Sequence, residues 1–545
     1  MTVEAIRFKN FMAFRDTDWI DLRAITLLFG RNSSGKSAFI RALRLLKQSL
    51  YTSGNNALLF SAEGQVDLGD FFTALHTRPT CADDWDEMEA NKMTFAFRCE
   101  MTGDGIELVY KRINEYREKH GLKRLFNDEF PNWVELSLQY SCRNDQDGGD
   151  VILVGVFVDC PWEGLMDLTG HELFSAERYG TVERYGNEEA TVAVVWTDEW
   201  IWGSDLNVGA IEEDVEVLSE TLALSCDSSF FPTVNVRQDF SGATDTQRGP
   251  SIALIEVLLQ NLKEEVGNFL DGIEYLGPIR PAPQRLYMLD QHGMKKWEAN
   301  GLRSWIRFLE ETLNIVTGNF MPEDEWYDDL ESDKGSLQNG NTELEMTQID
   351  EWVQALNLGE HARASSLNIP NKLGVSSQVF FFKSSTYDDR ENLIDVGYGA
   401  SQVLPIITAS VGAKPGSLVI IEQPELHLHP RAQADLADLF IGKQNDETRF
   451  LIETHSEHLL LRMRRRIAET TVGEKTAIHH PDFSKRLFSV LFIDREQNKS
   501  TVAQVQINEL GEMDSPKGFK GFFADDAIEV AKLTRVRLKR QTSKE

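Results

Sequence analysis

The chain has 545 residues and a formal net charge of −31, and this length fits two or three domains. A surface this acidic repels the nucleic-acid backbone overall, so contact with DNA or RNA requires a local basic patch or a basic partner. The five scattered cysteines form no CxxC pair, no apolar run reaches the ~18 residues of a membrane helix, and the first residues lack a signal pattern, so a cytoplasmic protein with reduced thiols and no membrane partner is expected.

The first fifty or so residues predict a strand, a loop and a helix in succession. Apolar and polar residues alternate early on, with Val3, Ala5, Ile6 and Phe8 apolar, which is typical of a strand pair. Residues 25–29 form a short apolar run that ends in a glycine, which predicts a buried strand. Residues 38–46 repeat apolar side chains with the period of a helix.

The turn between that strand and that helix matches the phosphate-loop pattern GxxxxGK[ST]. Glycines in such a loop let backbone N–H groups point inward at phosphates, and the following helix adds positive partial charge. Lys36 is expected to reach the β- and γ-phosphates, and the Ser37 hydroxyl to bind Mg²⁺. A chance match in a Gly/Ser turn is the alternative, and the flanking strand and helix argue against it. The expected ATP-binding residues are Gly30, Arg31, Asn32, Ser33, Ser34, Gly35, Lys36 and Ser37.

Residues from about 80 to 250 have a different character. Short β-like stretches are separated there by acidic and glycine-rich loops, which predicts an inserted region that is partly β. Residues 251–270 have the apolar period of an amphipathic helix. Residues 322–350 are acidic and polar, and are expected to form a flexible surface excursion.

Two further apolar runs are each followed by a candidate site residue. Residues 418–421 predict a buried parallel strand, and Glu422 at its carboxyl end is expected to bind the metal ion. Residues 450–452 predict a second strand, and His455 shortly after it is expected to contact the γ-phosphate or the attacking water. An ordinary acid at the end of a strand and a structural histidine are the alternatives.

A glycine-rich turn lies between the two halves of this candidate site. It contains Gly399, Ser401 and Gln402 and precedes an apolar helical stretch, so Ser401 is expected to cap the helix in a nest that binds anions. Turns of this kind commonly do no more than cap a helix, which is the alternative. The position of the turn, shortly before the Glu422 strand, favours a role with nucleotide.

Together these residues resemble the ABC-type ATPases of the SMC, RecF and OLD group. In this resemblance, residues 30–37 correspond to Walker A, 418–422 to Walker B, 397–402 to a diverged signature motif and His455 to the switch histidine. The sequence EQPELHLHP resembles a block of OLD-like ATPases. This block spans residues 422–430, and residues 275–280 resemble another recurring block of that group. Residues 508–511 and 518–523 resemble a C-terminal domain that is often attached to such proteins.

The resemblance implies an α/β fold: an ABC/SMC-head-like P-loop NTPase core split by a large α+β insertion, with a small C-terminal domain. The implied domains are residues 1–80 (N-terminal half of the core), 81–270 (insertion), 271–480 (C-terminal half of the core) and 481–545 (C-terminal domain and basic tail). In this group the signature of one subunit completes the phosphate pocket of another, which implies a homodimer or a higher even oligomer around ATP.

The layout of motifs is most similar to that of PtuA-like ATPases from Septu and retron anti-phage systems. This implies an ATPase that gates a separate partner, an HNH nuclease, and in retrons a reverse transcriptase with its nucleic acid. Two alternatives remain open from the sequence. One is a RecF-like DNA-repair clamp, and the other is an ATP-bound scaffold that hydrolyses slowly.

One residue departs from the pattern of the group. Gln423 stands where many ABC ATPases have a catalytic glutamate, and an amide can orient water but cannot take its proton. Hydrolysis is then slow, or Glu425 serves as the base. The expected catalytic residues are therefore Glu425, His455 and Gln423.

Two basic clusters are candidate contacts for nucleic acid or for an acidic partner. The first consists of Arg462, Arg464, Arg465 and Arg466, and the second lies in the tail at residues 532–540. The alternative is that these side chains form a solvated face paired with the abundant acids of the same chain.

Overall fold

The computed structural model describes most of the chain in segments. These are residues 2–50, 56–61, 66–77, 91–100, 111, 133–142, 150–159, 172–185, 191–203, 222–225, 230–231, 233–236, 250–280, 287–289, 340–367, 375–382, 390–392, 394–395, 398–443, 448–473, 482–496 and 499–514. The tail cluster at 532–540 and the block at 518–523 lie outside these segments, as does Gly397 of the signature-like turn.

The chain divides into two compact units, each of which gathers distant segments. The first unit contains Met1–Leu22, Ser37–Asp271 and Arg495–Thr501. The second unit contains Arg23–Lys36, Gly272–Asp494 and Val502–Glu545.

The described strands and helices follow in chain order. The strands are Thr2–Phe11 (β1), Phe14–Asp16 (β2), Ile20–Asp21 (β3), Ile25–Gly30 (β4), Met93–Glu100 (β5), Trp133–Cys142 (β6), Val151–Asp159 (β7), Glu172–Tyr185 (β8), Thr191–Gly203 (β9), Leu222–Ser225 (β10), Thr233–Val236 (β11), Ile273–Leu276 (β12), Tyr287–Leu289 (β13), His361–Leu367 (β14), Val375–Phe382 (β15), Arg390–Asn392 (β16), Leu418–Glu422 (β17), Arg449–Glu453 (β18), Phe488–Glu496 (β19), Lys499–Ile507 (β20) and Met513–Asp514 (β21). The α-helices are Lys36–Ser49 (α1), Phe71–Ala74 (α2), Pro250–Asp271 (α3), Gly340–Ala355 (α4), Tyr398–Val411 (α5), Pro430–Lys443 (α6) and Glu457–Val472 (α7). None of these helices is long and apolar enough to cross a membrane.

The first unit is built on an antiparallel sheet. Its strand order is β2-β1-β5-β6-β7-β8-β9, and β3 also pairs with β1. The alternating side chains of β1 and β5 place Phe8, Phe11 and Phe95 in the core. The ring of Phe95 meets the rings of Phe8 and Phe11 at centroid distances of 5.7 Å in edge-on geometry, an arrangement that aromatic pairs favour.

The second unit contains the sheet that positions the candidate site. Its strand order is β12-β17-β18-β4-β19-β20-β21, and the strands from β12 to β19 pair in parallel. All residues of β4 are buried, and so are all residues of β17 before Glu422, as expected for parallel strands that are covered on both faces. The carboxyl ends of β4, β17 and β18 therefore share one edge of the sheet. This is the α/β architecture of a P-loop nucleotide-binding core, as predicted.

The local predictions from apolar patterns are confirmed at β4, α1, α3, β17 and β18. The prediction of a flexible excursion over residues 322–350 is wrong for its last part, because α4 begins at residue 340. Ile349 and Val353 of α4 are buried. Their spacing of four residues forms an apolar face, which the surrounding acidic composition concealed. Residues 322–339 lie outside the described segments.

Two of the domain boundaries expected from the sequence cut through sheets. The boundary between residues 80 and 81 separates β1 from β5, yet these strands pair along seven residues, from Thr2↔Glu100 to Lys9↔Thr94. The boundary between residues 480 and 481 assigns β19 to a C-terminal domain, yet β19 pairs in parallel with β4 inside the central sheet. Both boundaries were misplaced because these strands pair between segments that are distant along the chain. No change in composition marks such pairing in the sequence.

Candidate ATP-binding site

The phosphate loop links β4 to α1, as the motif requires. A side chain at Gly30 would bring its Cβ within 2.4 Å of the backbone oxygen of Ile493 and 2.6 Å of Ser34 Oγ. Only glycine fits there, so the tight turn depends on Gly30. The Ser34 hydroxyl is buried and has no hydrogen-bond partner in the described structure, which leaves it available to a ligand.

The remaining loop residues differ in exposure. Arg31, Asn32, Ser33 and Ser37 are exposed, whereas Ser34 and Lys36 are buried and Gly35 is intermediate. The ammonium group of Lys36 turns back onto the loop and donates to the backbone oxygens of Gly30 (2.9 Å) and Arg31 (3.1 Å). The lysine is thus held inside the loop where phosphates would bind.

Two carboxylates meet at the carboxyl edge of the parallel sheet. Glu422 and Glu453 end β17 and β18, and they are direct partners in the strand register. Glu422 Oε1 accepts a hydrogen bond of 2.7 Å from the Tyr275 hydroxyl. Glu453 Oε1 lies 3.6 Å from Lys36 Nζ. Glu453 was not among the expected site residues, although it ends a predicted strand two residues before His455.

The environment of Glu453 favours its neutral form. Glu453 is 4% exposed. Burial, and next the negative charge of Glu422, raise the pKa of Glu453 to about 7, while Lys36 acts in the opposite direction. Glu453 Oε2 is buried and receives no donor from the described residues.

The expected catalytic residues Gln423, Glu425 and His455 lie on two adjacent loops. Gln423 has a left-handed backbone conformation (φ 46°) directly after β17. Glu425 is bound through both carboxylate oxygens: Oε2 accepts from the Thr454 hydroxyl at 2.8 Å and Oε1 from the His455 backbone N–H at 2.7 Å. Burial raises the pKa of Glu425, and these hydrogen bonds oppose the rise. Glu425 therefore fastens the loop that carries His455.

The imidazole of His455 is half-buried beside this loop. Burial, and then the positive charge of Lys36, lower the pKa of His455 below its ordinary value. The ring is therefore neutral at pH 7 and can form hydrogen bonds to phosphate or water without carrying charge.

Arg280 holds the chain at the end of β17, and the sequence analysis assigned this arginine no role. It is 2% exposed, and its Nη2 donates to the backbone oxygens of Glu422 (2.9 Å) and Gln423 (3.5 Å). Burial lowers the pKa of Arg280 to about 10, while the charge of Glu425 opposes this. Its position in the sequence block with Tyr275 was the available signal, because both side chains reach the end of β17.

The signature-like residues occupy the first turn of α5. The helix begins at Tyr398, so the expectation that Ser401 caps it is wrong. Ser401 and Gln402 are buried, and Gly399 is partly exposed. A Cβ at Gly399 would approach the His427 backbone oxygen to 2.9 Å, so this glycine permits close packing against the loop after β17.

The residues at the sheet edge fit a Mg²⁺ ion. Mg²⁺ prefers oxygen ligands and is usually held by one or two carboxylates together with phosphates and water. Glu422 is paired with Glu453 across the two strand ends, and Glu453 Oε2 receives no donor from the described residues. Within the described segments no group of three or more His, Cys, Asp or Glu side chains forms a metal cage, so phosphate oxygens would have to complete the coordination.

All four arginines of the cluster on α7 form contacts within the chain. Arg466 binds Asp438 through two hydrogen bonds of 2.8 and 2.9 Å, and Arg462 binds Asp435 and Asp438. The other two members also have partners, Arg464 with the Gly511 backbone oxygen and Arg465 with Glu469. These contacts favour the reading of a self-paired face for this cluster.

Two segments of the chain match known family models. Residues 5–69 match a family described as AAA domain, and residues 322–462 match a family described as AAA domain, putative AbiEii toxin, Type IV TA system. No curated protein matches the chain significantly in sequence.

Among solved structures the chain is similar to two SMC head domains. The SMC head domain from Thermotoga maritima is 8% identical, with 93% of this chain and 100% of that chain covered and a TM-score of 0.36. The Smc head domain with an extended coiled coil bound to the C-terminal domain of ScpA, from Pyrococcus furiosus, is 11% identical, with 98% and 99% covered and a TM-score of 0.35. These values are too low to transfer any residue role. The two family matches fall on the segments that supply the phosphate loop and the Glu422 strand, and each covers less than half of the chain.

Proposed function

We propose that this chain binds and hydrolyses ATP with Mg²⁺, and that the nucleotide controls its association with itself and with a partner effector. The observation that carries the first part is the contact between Lys36 and Glu453, 3.6 Å apart beside Glu422 at the end of the parallel sheet. A phosphate-binding lysine next to strand-end carboxylates is the arrangement that phosphoryl transfer requires.

Each residue then has a defined task toward the nucleotide. The loop amides and the start of α1 hold the phosphates, and Lys36 exchanges its bonds to backbone carbonyls for bonds to phosphate oxygens. Glu422 and the exposed Ser37 hydroxyl hold Mg²⁺, which supplies neutralising charge when bound. Neutral His455 hydrogen-bonds the terminal phosphate or the water, and Gln423 orients that water.

Dimerisation around ATP is proposed through the first turn of α5. The first N–H groups of a helix have no partner inside the helix and attract anions. Because Ser401 and Gln402 are buried and Gly399 is accessible, the contact with the partner's nucleotide runs through Gly399 and the neighbouring backbone. Buried Gln402 Nε2 has no acceptor in the described structure, which leaves it available to a ligand.

The proposed partner is a separate HNH nuclease in bacterial anti-phage defence, with a reverse transcriptase and its nucleic acid in retron-type systems. Support comes from the sequence resemblance and from the family description that names a toxin of a type IV toxin–antitoxin system. The paired state of the α7 arginines argues against the alternative of a DNA-repair clamp, since they offer few free cations for phosphates.

The nucleotide assignment is tested with Lys36→Ala and a matched control, Lys414→Ala, which removes an exposed lysine from a surface turn. ATP affinity is measured by titration, and turnover by phosphate release. We expect Lys36→Ala to lose about 100-fold or more in affinity, since it removes charge-assisted bonds to two phosphates, and Lys414→Ala to match wild type. Normal affinity in Lys36→Ala would refute the assignment.

Dimerisation and gating need separate measurements. Sedimentation with ATP and with ADP should show a dimer with ATP only, and a monomer that hydrolyses ATP at the full rate would refute the shared site. Affinity capture from cells with the native gene neighbourhood should yield a stoichiometric nuclease. A clean homodimer whose turnover is stimulated by DNA would instead favour the repair clamp.

A further inference from the structure

We propose that Tyr275 is a positioning residue that orients the Glu422 carboxylate for the divalent metal ion of the nucleotide. The proposal rests on the proposed ATPase function, in which Glu422 binds Mg²⁺, and it adds a residue that acts through Glu422. The observation that carries it is the hydrogen bond of 2.7 Å that the Tyr275 hydroxyl donates to Glu422 Oε1.

The parallel sheet brings Tyr275 to the face of β17 on which Glu422 lies. β12 and β17 are parallel neighbours, and Tyr275 is paired with Ile420, two residues before Glu422. Side chains two residues apart on a strand point to the same face, so Glu422 shares the face of Ile420 and Tyr275. The phenol side chain is long enough to span the offset of two residues, and its hydroxyl reaches the carboxylate.

The backbone next to Glu422 is anchored at both ends of one peptide group. Arg280 Nη2 donates to the Glu422 backbone oxygen at 2.9 Å. The N–H of the same peptide group, that of Gln423, donates to the Glu453 backbone oxygen at 2.7 Å. With this peptide group fixed, the remaining freedom of Glu422 lies in its side-chain torsions. The bond from Tyr275 restricts those torsions.

A carboxylate that is oriented in advance binds a metal ion more tightly than one that must be ordered on binding. Fixing a glutamate side chain costs rotamer entropy, and hydrogen bonds from outer residues to metal-binding carboxylates orient them before the ion arrives. An ionised carboxylate offers about four lone-pair positions, so the bond from Tyr275 leaves others for Mg²⁺. Because Mg²⁺ demands near-ideal octahedral geometry, a misoriented Glu422 should bind it less tightly.

The test is Tyr275→Phe in the full chain, which removes the hydroxyl and keeps the ring. Mn²⁺ affinity is measured by electron paramagnetic resonance beside a non-hydrolysable ATP analogue, and affinity for the analogue alone is measured with a chelator. We expect Mn²⁺ affinity to fall about 10- to 100-fold and affinity for the analogue without metal to match wild type. Turnover should return towards the wild-type rate as the Mg²⁺ concentration is raised, because the loss lies in metal binding.

Tyr140→Phe is the matched control. The Tyr140 hydroxyl is buried and donates to the Phe230 backbone oxygen at 2.8 Å. It belongs to the first unit, whereas Tyr275 and Glu422 belong to the second. This variant also loses one hydrogen bond of a tyrosine hydroxyl, and it should bind Mn²⁺ as wild type does. An equal fall in Mn²⁺ affinity in both variants would reflect a general loss of folded structure and would overturn the positioning role.

Glu422→Gln separates failure of the inference from failure of the proposed function. If Glu422→Gln binds Mn²⁺ as tightly as wild type, Glu422 does not hold the metal ion, and the proposed metal site fails together with the inference. If Glu422→Gln weakens Mn²⁺ binding and Tyr275→Phe does not, only the inference is overturned. Loss of affinity for the analogue under chelator in Tyr275→Phe would also overturn it, since Tyr275 would then shape the nucleotide pocket itself.

Discussion

Replacing Glu453 by glutamine should change how stability depends on pH in the nucleotide-free protein. Burial and the charge of Glu422 raise the pKa of Glu453 from its ordinary 4.5 to about 7. The folded state therefore binds more protons than the unfolded state between these two values. The resulting stabilisation is fully present below pH 4.5 and is lost as the pH rises through about 7.

The size of the effect follows from the two pKa values. One pKa unit corresponds to about 1.4 kcal/mol, so the whole titration of this carboxyl changes the free energy of unfolding by roughly 3 kcal/mol. Most of this change falls between pH 5 and pH 8. Glutamine has the same shape and does not titrate, so Glu453→Gln lacks this pH-dependent contribution to the free energy of unfolding.

The assay is urea unfolding of wild type and Glu453→Gln at pH 5 and pH 8, with a chelator and without nucleotide. Relative to wild type, the variant should gain about 2 to 3 kcal/mol in free energy of unfolding between the two pH values. The control is Glu351→Gln, which replaces an exposed glutamate of α4. Its difference from wild type should be the same at both values.

An unchanged difference between Glu453→Gln and wild type at pH 5 and pH 8 would refute the reasoning. It would mean that Glu453 has the same pKa in the folded and unfolded states, and that burial and Glu422 do not act on it as derived. A change of the opposite sign would mean that the Lys36 contact outweighs burial and keeps the carboxylate charged.

Three further changes have defined outcomes. Gly30→Ala should abolish ATP binding in a titration, because the new methyl group would lie 2.4 Å from the Ile493 backbone oxygen and must displace the loop. Asp438→Ala should lower the free energy of unfolding by about 1.5 to 3 kcal/mol in urea, because two largely buried arginines lose their charged hydrogen bonds to Asp438 and keep only Asp435 and Glu469 as partners. Glu425→Gln should lower it by about 1.5 to 3 kcal/mol, since one of the two donors bound by the carboxylate then faces an amide N–H.

One of these changes has a matched control, and all three have contrary outcomes. For Asp438→Ala the control is Glu509→Ala, which breaks an exposed ion pair with Lys485 and should cost under about 1 kcal/mol. Equal losses in the two variants would show that the α7 network is not buried as described. Wild-type ATP affinity in Gly30→Ala, or wild-type stability in Glu425→Gln, would contradict the geometry of the corresponding loop.

The sequence by itself determined the parts of this protein that depend on neighbouring residues. The phosphate loop is contiguous from Gly30 to Ser37, and its function lies in local backbone geometry, so pattern and flanking elements sufficed. The buried strands β17 and β18 were readable because parallel strands covered on both faces are almost wholly apolar. For the same reason Glu422, a charged residue that ends such a run, could be assigned a site position.

Tertiary structure alone decided the residues whose roles depend on distant partners. Glu453 looks like an ordinary acid at a strand end until the register of β17 and β18 places it beside Glu422 and the loop places Lys36 next to it. The arginines of α7 could equally have bound nucleic acid until the packing of α6 against α7 brought Asp438 to them. Likewise, the pairing of β1 with β5 crosses a domain boundary that was expected from the sequence. Burial, charge proximity and strand register are properties of the folded chain, and a single sequence does not encode them in any local pattern.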